Sequence, residues 1–194
     1  MTAEPAHHWP VPPQDGYTVD DLLTLPDLPP HTELIDGSLV FVSPQREFHT
    51  TVMFLLERDL RAMAPAEFRV RRKMVVLIDK HNAPEPDISV LRAGAVCSPE
   101  ATYYQARDVL LAVEVISPSS ESRDRDTKPH KYALAGIPHF WLVEMSAFDR
   151  RPIVHVFELD AKTRTYAPTG VYQDTLKLTS PFDIDIDLAE FDRL

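Results

Sequence analysis

The sequence predicts an α/β protein of the α+β kind, in which a mixed β-sheet is flanked by helices, with a hairpin near the N-terminus and antiparallel strands near the C-terminus. Two patterns predict this fold. An amphipathic helix is followed by three strand-like segments, a second helix and a further strand, and the chain closes with short segments typical of an antiparallel meander. The 194 residues suffice for one domain with a full core. We expect that domain over residues 31–194, behind a proline-rich arm of residues 1–30.

The N-terminal half should contain a hairpin, a long helix and three strands. Asp36 and Gly37 tolerate the positive φ angles of a tight turn, so the apolar residues on both sides of them predict two short strands. Between residues 47 and 64 the apolar residues recur about once per helical turn, which predicts a helix packed on one face. A shorter helix is expected near residues 19–25. The three strand-like segments that follow are residues 68–78, 87–91 and 109–117.

The C-terminal half should contain a second helix, a buried strand and a meander. The helix is predicted over residues 126–135, with Asp126 or Thr127 as N-cap, Pro129 in the first turn and Gly136 just beyond the end. The apolar run at residues 140–143 predicts the strand. The meander segments are residues 153–158, 163–166 and 175–178, and an acidic tail follows at 183–188.

The composition limits the classes of function. The formal net charge is −10, from 20 Lys+Arg and 30 Asp+Glu, which argues against general electrostatic attraction to DNA or RNA. One cysteine, Cys97, excludes an internal disulfide framework and a multi-cysteine zinc site within one chain. No apolar run approaches the roughly 18 residues that cross a bilayer, and no signal-peptide pattern opens the sequence. We therefore expect a cytoplasmic protein without membrane association.

Two carboxylates point to a metal site. Asp87 opens one predicted strand, and Glu114 lies inside the next, where burying an unpaired charge costs on the order of several kcal/mol. On adjacent strands the two groups can share one divalent cation, and hard oxygen ligands suit Mg²⁺ or Mn²⁺. In the alternative interpretation, Glu114 pairs with a nearby Arg or Lys and Asp87 is a turn residue. These two residues alone leave both interpretations open.

A longer ordered set of motifs extends across most of the chain. It comprises Glu33-Leu34-Ile35-Asp36-Gly37, His49 at the start of the long helix, Pro86-Asp87-Ile88-Ser89-Val90, Glu114-Val115-Ile116-Ser117-Pro118-Ser119-Ser120, then Asp124, Lys128 and Tyr132 four residues apart, and Gly136-Ile137-Pro138-His139-Phe140-Trp141-Leu142-Val143. This set, over about residues 17–158, resembles the Uma2 family of restriction-endonuclease-like proteins.

The resemblance implies a restriction-endonuclease-like core of the PD-(D/E)xK type, in which Asp87 and Glu114 hold Mg²⁺ or Mn²⁺. Ile116 stands where the wider superfamily has its lysine. Uma2-like sequences carry a lysine on the following helix, which here is Lys128. If that helix covers the strand, the long Lys128 stem can bring its ammonium group back to the metal. Without the resemblance, Lys128 would be interpreted as a solvated helix residue.

The remaining candidates are Glu33 and His49. The resemblance suggests Glu33 as a third acidic group near the metal, and His49 as a ligand, a proton carrier or a phosphate contact. An isolated histidine at a helix start is equally typical of a surface or capping residue. For Tyr132, a hydrogen bond to a site group and a structural role both stay open.

The predicted function is a metal-dependent endonuclease that hydrolyses phosphodiester bonds in DNA. Basic residues at 69–73 and 123–131 offer a basic flank beside the acidic site. The alternative is a catalytically silent nuclease-fold module that binds nucleic acid or a protein partner. We also expect a homodimer, because two copies on a two-fold axis can cut both strands of a duplex. The segment 153–157 and the meander after it are the candidate edge for that contact.

Overall fold

A six-stranded mixed sheet forms the centre of the protein. The structure is a computed structural model that describes residues 11–96 and 98–194. Its strands are β1 (Glu33–Ile35), β2 (Ser38–Val40), β3 (Phe68–Arg72), β4 (Val75–Leu77), β5 (Ile88–Arg92), β6 (Tyr103–Gln105), β7 (Val109–Val115), β8 (His139–Met145), β9 (Pro152–Asp160), β10 (Thr165–Tyr172), β11 (Thr175–Leu178) and β12 (Ile184–Asp187). Its α-helices are α1 (Val19–Thr24), α2 (Glu47–Met63) and α3 (Lys128–Ala135).

The strand order of the central sheet is β10-β9-β8-β7-β5-β3. β7 and β8 run parallel, and every other neighbouring pair in this sheet is antiparallel. The parallel pair needs a crossover connection, and α3 lies in the segment between the two strands. The mixed sheet with few helices confirms the predicted fold class.

The two faces of the sheet carry separate apolar clusters. On one face, α2 and the C-terminal strands β11 and β12 pack against Val113, Val115 and Trp141. On the other face, Tyr132 of α3 packs with a cluster that includes Ala112. Since side chains alternate along a strand, Glu114 lies on the α3 side, between two residues that face α2. This alternation is why a carboxylate inside a buried strand meets the second helix.

Several strand predictions were wrong in detail. The single strand predicted at 68–78 is divided at Lys73, where φ is +51°, into β3 in the central sheet and β4 outside it. β4 pairs in parallel with β6, which the sequence analysis missed. The predicted meander is also divided, because β11 leaves the central sheet and pairs with β12 in the acidic tail. β9 lies between β8 and β10, so segment 153–157 is not a sheet edge, whereas β10, in the meander after it, is one.

The second helix starts earlier than predicted. Thr127 has helical angles, φ −70° and ψ −53°, and makes no capping hydrogen bond through its side chain. A π-helical segment, Arg123–Thr127, precedes α3 and runs directly into it. Pro129 lacks an N–H group and its ring crowds the carbonyl four residues earlier, which favours a wider turn at this point. Gly136 ends the helix in the left-handed region with φ +83°, as predicted.

The predicted N-terminal arm lies partly outside the described residues, which begin at residue 11. Its described part contains α1, whose N-terminus is closed by a capping box between Thr18 and Asp21. Tyr17 packs in a small cluster with Leu34 and Ala83. The domain boundary at residue 30 stays a prediction. None of the helices in the two described ranges is long and apolar enough to cross a membrane.

Candidate active site

A cavity of about 30 Å³ lies where the β1–β2 hairpin, the start of α2, the strands β5 and β7, and the helix α3 meet. The structure brings all five predicted site residues to this cavity: Glu33, His49, Asp87, Glu114 and Lys128. Each of them is at most 4% exposed. A space this small admits a water molecule or a cation, so a larger ligand has to approach from the mouth of the cavity.

Strand register brings Asp87 and Glu114 together. Ile88 of β5 pairs with Val113 of β7, so the next positions along the two antiparallel strands are those of the two carboxylates. Asp87 Oδ2 accepts a 2.6 Å hydrogen bond from the backbone N–H of Val115. This bond ties the segment before β5 to the end of β7.

His49 and Lys73 contact Asp87 and favour its ionised form. His49 Nε2 lies 3.0 Å from Asp87 Oδ2, and the Lys73 ammonium group donates to Oδ1. Burial alone would raise the pKa of Asp87, but the hydrogen bond with His49 and the charge of Lys73 together lower it far below its ordinary value. Asp87 is therefore ionised over the whole physiological pH range.

Glu114 has the opposite pKa shift. Its Oε1 accepts a 2.6 Å hydrogen bond from the Tyr132 hydroxyl, and its Oε2 lies 3.2 Å from Lys128 Nζ. Burial raises the pKa of Glu114 well above its ordinary value, and the charge of Lys128 opposes this only in part. The nearby charges of Asp124 and Asp87 raise it further. Two neighbouring carboxylates in one cavity thus differ in their tendency to hold a proton.

Lys128 is the centre of the buried charge cluster. Its Nζ lies 2.8 Å from Glu33 Oε1, and 3.2 Å from both Glu114 Oε2 and Asp124 Oδ1. Burial would lower the pKa of Lys128, but the charges of these three carboxylates raise it well above its ordinary value. The amine is therefore protonated, and the interpretation as a solvated helix residue is wrong.

Glu33 and His49 lie inside the cluster and not at the surface. Glu33 Oε1 accepts a 2.8 Å hydrogen bond from the backbone N–H of Glu85 in addition to its ion pair with Lys128. His49 uses Nε2 toward Asp87, while its Nδ1 is buried without a hydrogen-bond partner among the described residues. Both side chains are thus oriented by other members of the site.

Sequence analysis missed Lys73 and Glu85 as site residues, and left Asp124 and Tyr132 without an assigned role. Glu85 lies two residues before Asp87 in an extended segment, and that spacing could have indicated a shared face. Lys73 reaches Asp87 because the chain turns sharply after β3, which no local pattern shows. Of the predicted basic flank, Lys73, Arg123 and Lys128 line the cavity, whereas Arg69 and Arg71 bind nearby backbone carbonyls.

The charges around the cavity do not balance. Five carboxylates line it, those of Glu33, Glu85, Asp87, Glu114 and Asp124, against three basic side chains, the buried Lys128 and the half-buried Lys73 and Arg123. Burial, as the largest cause, raises the pKa of Glu85, Glu114 and Asp124. A cluster with this excess of buried negative charge is stabilised by bound protons or by a cation.

The donor chemistry fits a divalent cation. The cavity offers carboxylate oxygens, which are the ligands that Mg²⁺ and Mn²⁺ prefer. Within the described part of the chain, no three His, Cys, Asp or Glu side chains form a ready metal cluster. Lys73 and Lys128 already pair with Asp87 and Glu114, so a cation would have to share these oxygens with the two ammonium groups or displace them.

Ile116 does not line the carboxylate cavity. It lies just beyond β7, on the wall of a neighbouring cavity that shares His49 and Ser117 with the first. The position that carries the lysine in the wider superfamily therefore does not line the cavity that Lys128 occupies.

The comparisons with known proteins identify the family of the chain. The Uma2 family, described as “Putative restriction endonuclease”, matches residues 19–189. The chain belongs to the Uma2 family. The match confirms the resemblance inferred from the ordered motifs, and it includes all five predicted site residues. No curated protein gives a significant match to the sequence.

A solved structure shows the same fold as this Uma2 protein. The crystal structure of “a putative nuclease belonging to DUF820” from Anabaena variabilis matches with a TM-score of 0.68 at 16% sequence identity. The match covers 90% of this chain and 96% of that chain. The likeness establishes the architecture of the Uma2 protein.

Proposed function

We propose that this Uma2 protein is a metal-dependent nuclease that hydrolyses phosphodiester bonds, with DNA as the substrate. The observation that carries the proposal is the buried cluster in which Asp87 and Glu114 lie at neighbouring strand positions with an unbalanced excess of negative charge. Asp87 and Glu114 would hold Mg²⁺ or Mn²⁺. When bound there, the cation would polarise the phosphate and lower the pKa of a water molecule.

The protein's own groups have separate roles in this proposal. Lys128 carries a fixed positive charge that stabilises negative charge as it develops on the phosphate. Glu33 and Asp124 orient the Lys128 ammonium group, and His49 orients Asp87. These contacts orient the Lys128 ammonium group and the Asp87 carboxylate before any ligand binds. Cation binding would still have to rearrange the ion pairs of Lys73 with Asp87 and of Lys128 with Glu114.

The test is cleavage of labelled DNA with Mg²⁺ or Mn²⁺. We expect cleavage that EDTA abolishes and that Asp87→Asn or Glu114→Gln removes, while both variants keep the folded far-UV spectrum. Asp59→Asn is a matched control, because Asp59 is a carboxylate paired with Arg58 on α2, outside the cavity. Cleavage that survives EDTA, or that survives loss of either site carboxylate, would contradict the metal mechanism.

The second candidate is a silent nuclease-fold module that binds nucleic acid or a protein partner. One observation favours it: Lys73 and Lys128 already pair with Asp87 and Glu114 without a cation. Calorimetric titration with Mn²⁺ separates the candidates. Heat that Asp87→Asn abolishes supports the nuclease, and binding of DNA without Mn²⁺ uptake or cleavage supports the silent module. A cytoplasmic location stays a prediction in either case.

A further inference from the structure

A second cavity adjoins the carboxylate cavity. It has a volume of about 210 Å³ and shares His49 and Ser117 with the first cavity, so one ligand can reach both. It opens between the start of α2, the segment after β7 and the end of β8. None of the roles in the proposed reaction uses it.

The walls of this second cavity are largely apolar. Phe48, Ile116, Pro118 and Met145 line it. The Phe48 ring packs against the ring of Phe191, with centroids 5.4 Å apart and planes inclined by 59°. A fixed aromatic ring beside aliphatic side chains is the kind of surface on which a flat heteroaromatic group stacks.

The polar groups of the cavity are paired with one another. Arg125 bridges the carboxylates of Glu121 and Glu144, and all three groups line the wall. With its charges matched in this way, the wall provides both donors and acceptors but little net attraction for a phosphate. Arg46 at the same cavity is exposed and forms no ion pair with any described residue, so it is free to contact a backbone phosphate.

We propose that the second cavity takes one unstacked nucleobase of the substrate while the adjacent phosphate lies at the carboxylate cavity. The inference rests on the proposed nuclease function and adds the substrate class. A base inside a continuous duplex is covered on both faces and paired along its edge, so it has to leave the helix to enter this cavity. The preferred substrate is therefore single-stranded DNA, or an unpaired segment within a duplex.

The first experiment compares substrates. Cleavage in Mn²⁺ is measured on one labelled strand, alone, in a complete duplex and in a duplex with an unpaired bulge. We expect the single strand and the bulge to be cleaved at least about tenfold faster than the duplex, since unstacking is then already complete. Equal rates on all three would overturn the inference and leave the nuclease proposal intact.

The second experiment locates the base. Abasic sites are placed one at a time along the single strand, and we expect cleavage to fall at one fixed distance from the cut by about tenfold, the scale of one lost stacking contact. In Phe48→Ala this abasic penalty should disappear, because the contact is already missing. Phe54→Ala is the matched control, since Phe54 lies on the same helix, is 49% exposed and does not line the cavity. An abasic penalty that persists unchanged in Phe48→Ala would overturn the inference.

A DNA-binding measurement tests this inference independently of the nuclease proposal, because it does not require cleavage. Met145→Trp fills the cavity without removing Phe48, so it tests the same site if Phe48→Ala disturbs the fold. In fluorescence anisotropy with an Asp87→Asn background, Met145→Trp should weaken single-strand affinity by about tenfold and leave duplex affinity unchanged. If no substrate is cleaved but Met145→Trp weakens only the single-strand affinity, the nuclease proposal fails and the assignment of the second cavity to a nucleobase is supported. Equal losses of affinity for single strand and duplex would overturn the assignment of the second cavity to a nucleobase.

Discussion

Lys128 holds three carboxylates within 3.2 Å of one ammonium group. Removing one partner of a buried ion cluster costs more than the cluster contributes, because the remaining charges stay buried without compensation. Lys128 is therefore important for stability as well as for the proposed reaction, and the two roles can be measured separately.

Lys128→Met should lower the free energy of unfolding by about 3–5 kcal/mol in urea titration, because Glu33, Glu114 and Asp124 lose their shared cation. Added Mn²⁺ should recover part of this loss by binding the folded state. In cleavage assays under stabilising conditions, kcat should fall much more than DNA affinity.

Lys131→Met is the control for this change. Lys131 lies on the same helix and pairs with Asp36, whose side chain is 68% exposed, so the loss should stay within about 1 kcal/mol. Similar losses for the two lysines would contradict the assignment of Lys128 as the centre of the cluster.

Glu114→Gln should change how stability depends on pH. Because burial raises the pKa of Glu114, the folded protein binds more protons than the unfolded chain between the ordinary pKa and the raised one. Stability should therefore fall as pH rises through that window, and Glu114→Gln should reduce the fall. Lys128 keeps Glu33 and Asp124 as partners, so the metal-free variant should melt at the same or a higher temperature than the wild type.

Melting curves recorded in EDTA between about pH 5 and pH 8 measure this effect of the buried carboxyl group. A clear fall in melting temperature at all pH values would show that Glu114 is needed as an ion-pair partner of Lys128. The alternative interpretation of Glu114 from the sequence would then be correct.

At the scale of elements, the π-helical segment sets the geometry of the site. It contains Asp124 and runs into α3, which begins at Lys128, so the side-chain pair of Asp124 and Lys128, 3.2 Å apart, spans most of the segment. π-Turns insert one extra residue into a helix and occur often at functional sites. A helix of regular pitch through this region would change the rotation of Asp124 relative to Lys128.

Deletion of Asp126 tests this role of the segment. Asp126 is exposed, and its removal should return the segment to regular α-helix while rotating Asp124 out of the cluster by about 100°. We expect lower thermal stability and loss of metal-dependent cleavage. Asp126→Ala, which keeps the chain length, should retain both properties, and equal behaviour of the two variants would contradict the proposed role of the extra residue.

The acidic tail is an element of the core. Ile184 and Ile186 of β12 are buried against the α2 face of the sheet, while Asp185 points outward and pairs with Lys177. Ile186→Ala should cost about 2–5 kcal/mol in urea titration, because it removes buried methyl groups and leaves a cavity. Asp185→Ala should stay within about 0.5 kcal/mol. A small loss for Ile186→Ala would mean that β12 detaches easily.

At the scale of the whole molecule, the central sheet ends at β3 and β10. β10 contains Pro168, which cannot donate a ladder hydrogen bond, and an irregularity between Pro168 and Gly170. Val171 on the same strand is 57% exposed. If two copies meet at a sheet edge, we expect the contact at β10. This edge strand follows the predicted segment 153–157 and carries the exposed apolar side chain of Val171.

The homodimer stays a prediction, with a direct measurement. Light scattering at micromolar concentration should give a species of twice the 22.0 kDa chain mass. Val171→Lys should shift it to the monomer, because a buried lysine at the contact is costly. Lys177→Ala, on β11 outside the central sheet, should leave the mass unchanged. A single 22.0 kDa species for the wild type would remove the dimer.

Local sequence patterns predicted most of the elements and the proposed metal ligands. Apolar periodicity and turn residues depend on neighbours within a few positions, so α2, the β1–β2 hairpin and the buried strand β7 could be predicted from the chain itself. Asp87 and Glu114 stood out because a carboxylate beside or inside a buried strand is costly, and because they belong to an ordered set of family motifs.

The contacts of those carboxylates required the folded protein. Lys73 meets Asp87 across 14 positions, and Tyr132 meets Glu114 across 18, through a sharp turn and a helix whose start no local pattern indicated. The division of residues 68–78 between two sheets, and the pairing of β11 with β12, depend on which long-range partner is available. Local propensity cannot decide such pairings, because their free energy comes from surfaces that meet only after the chain has folded.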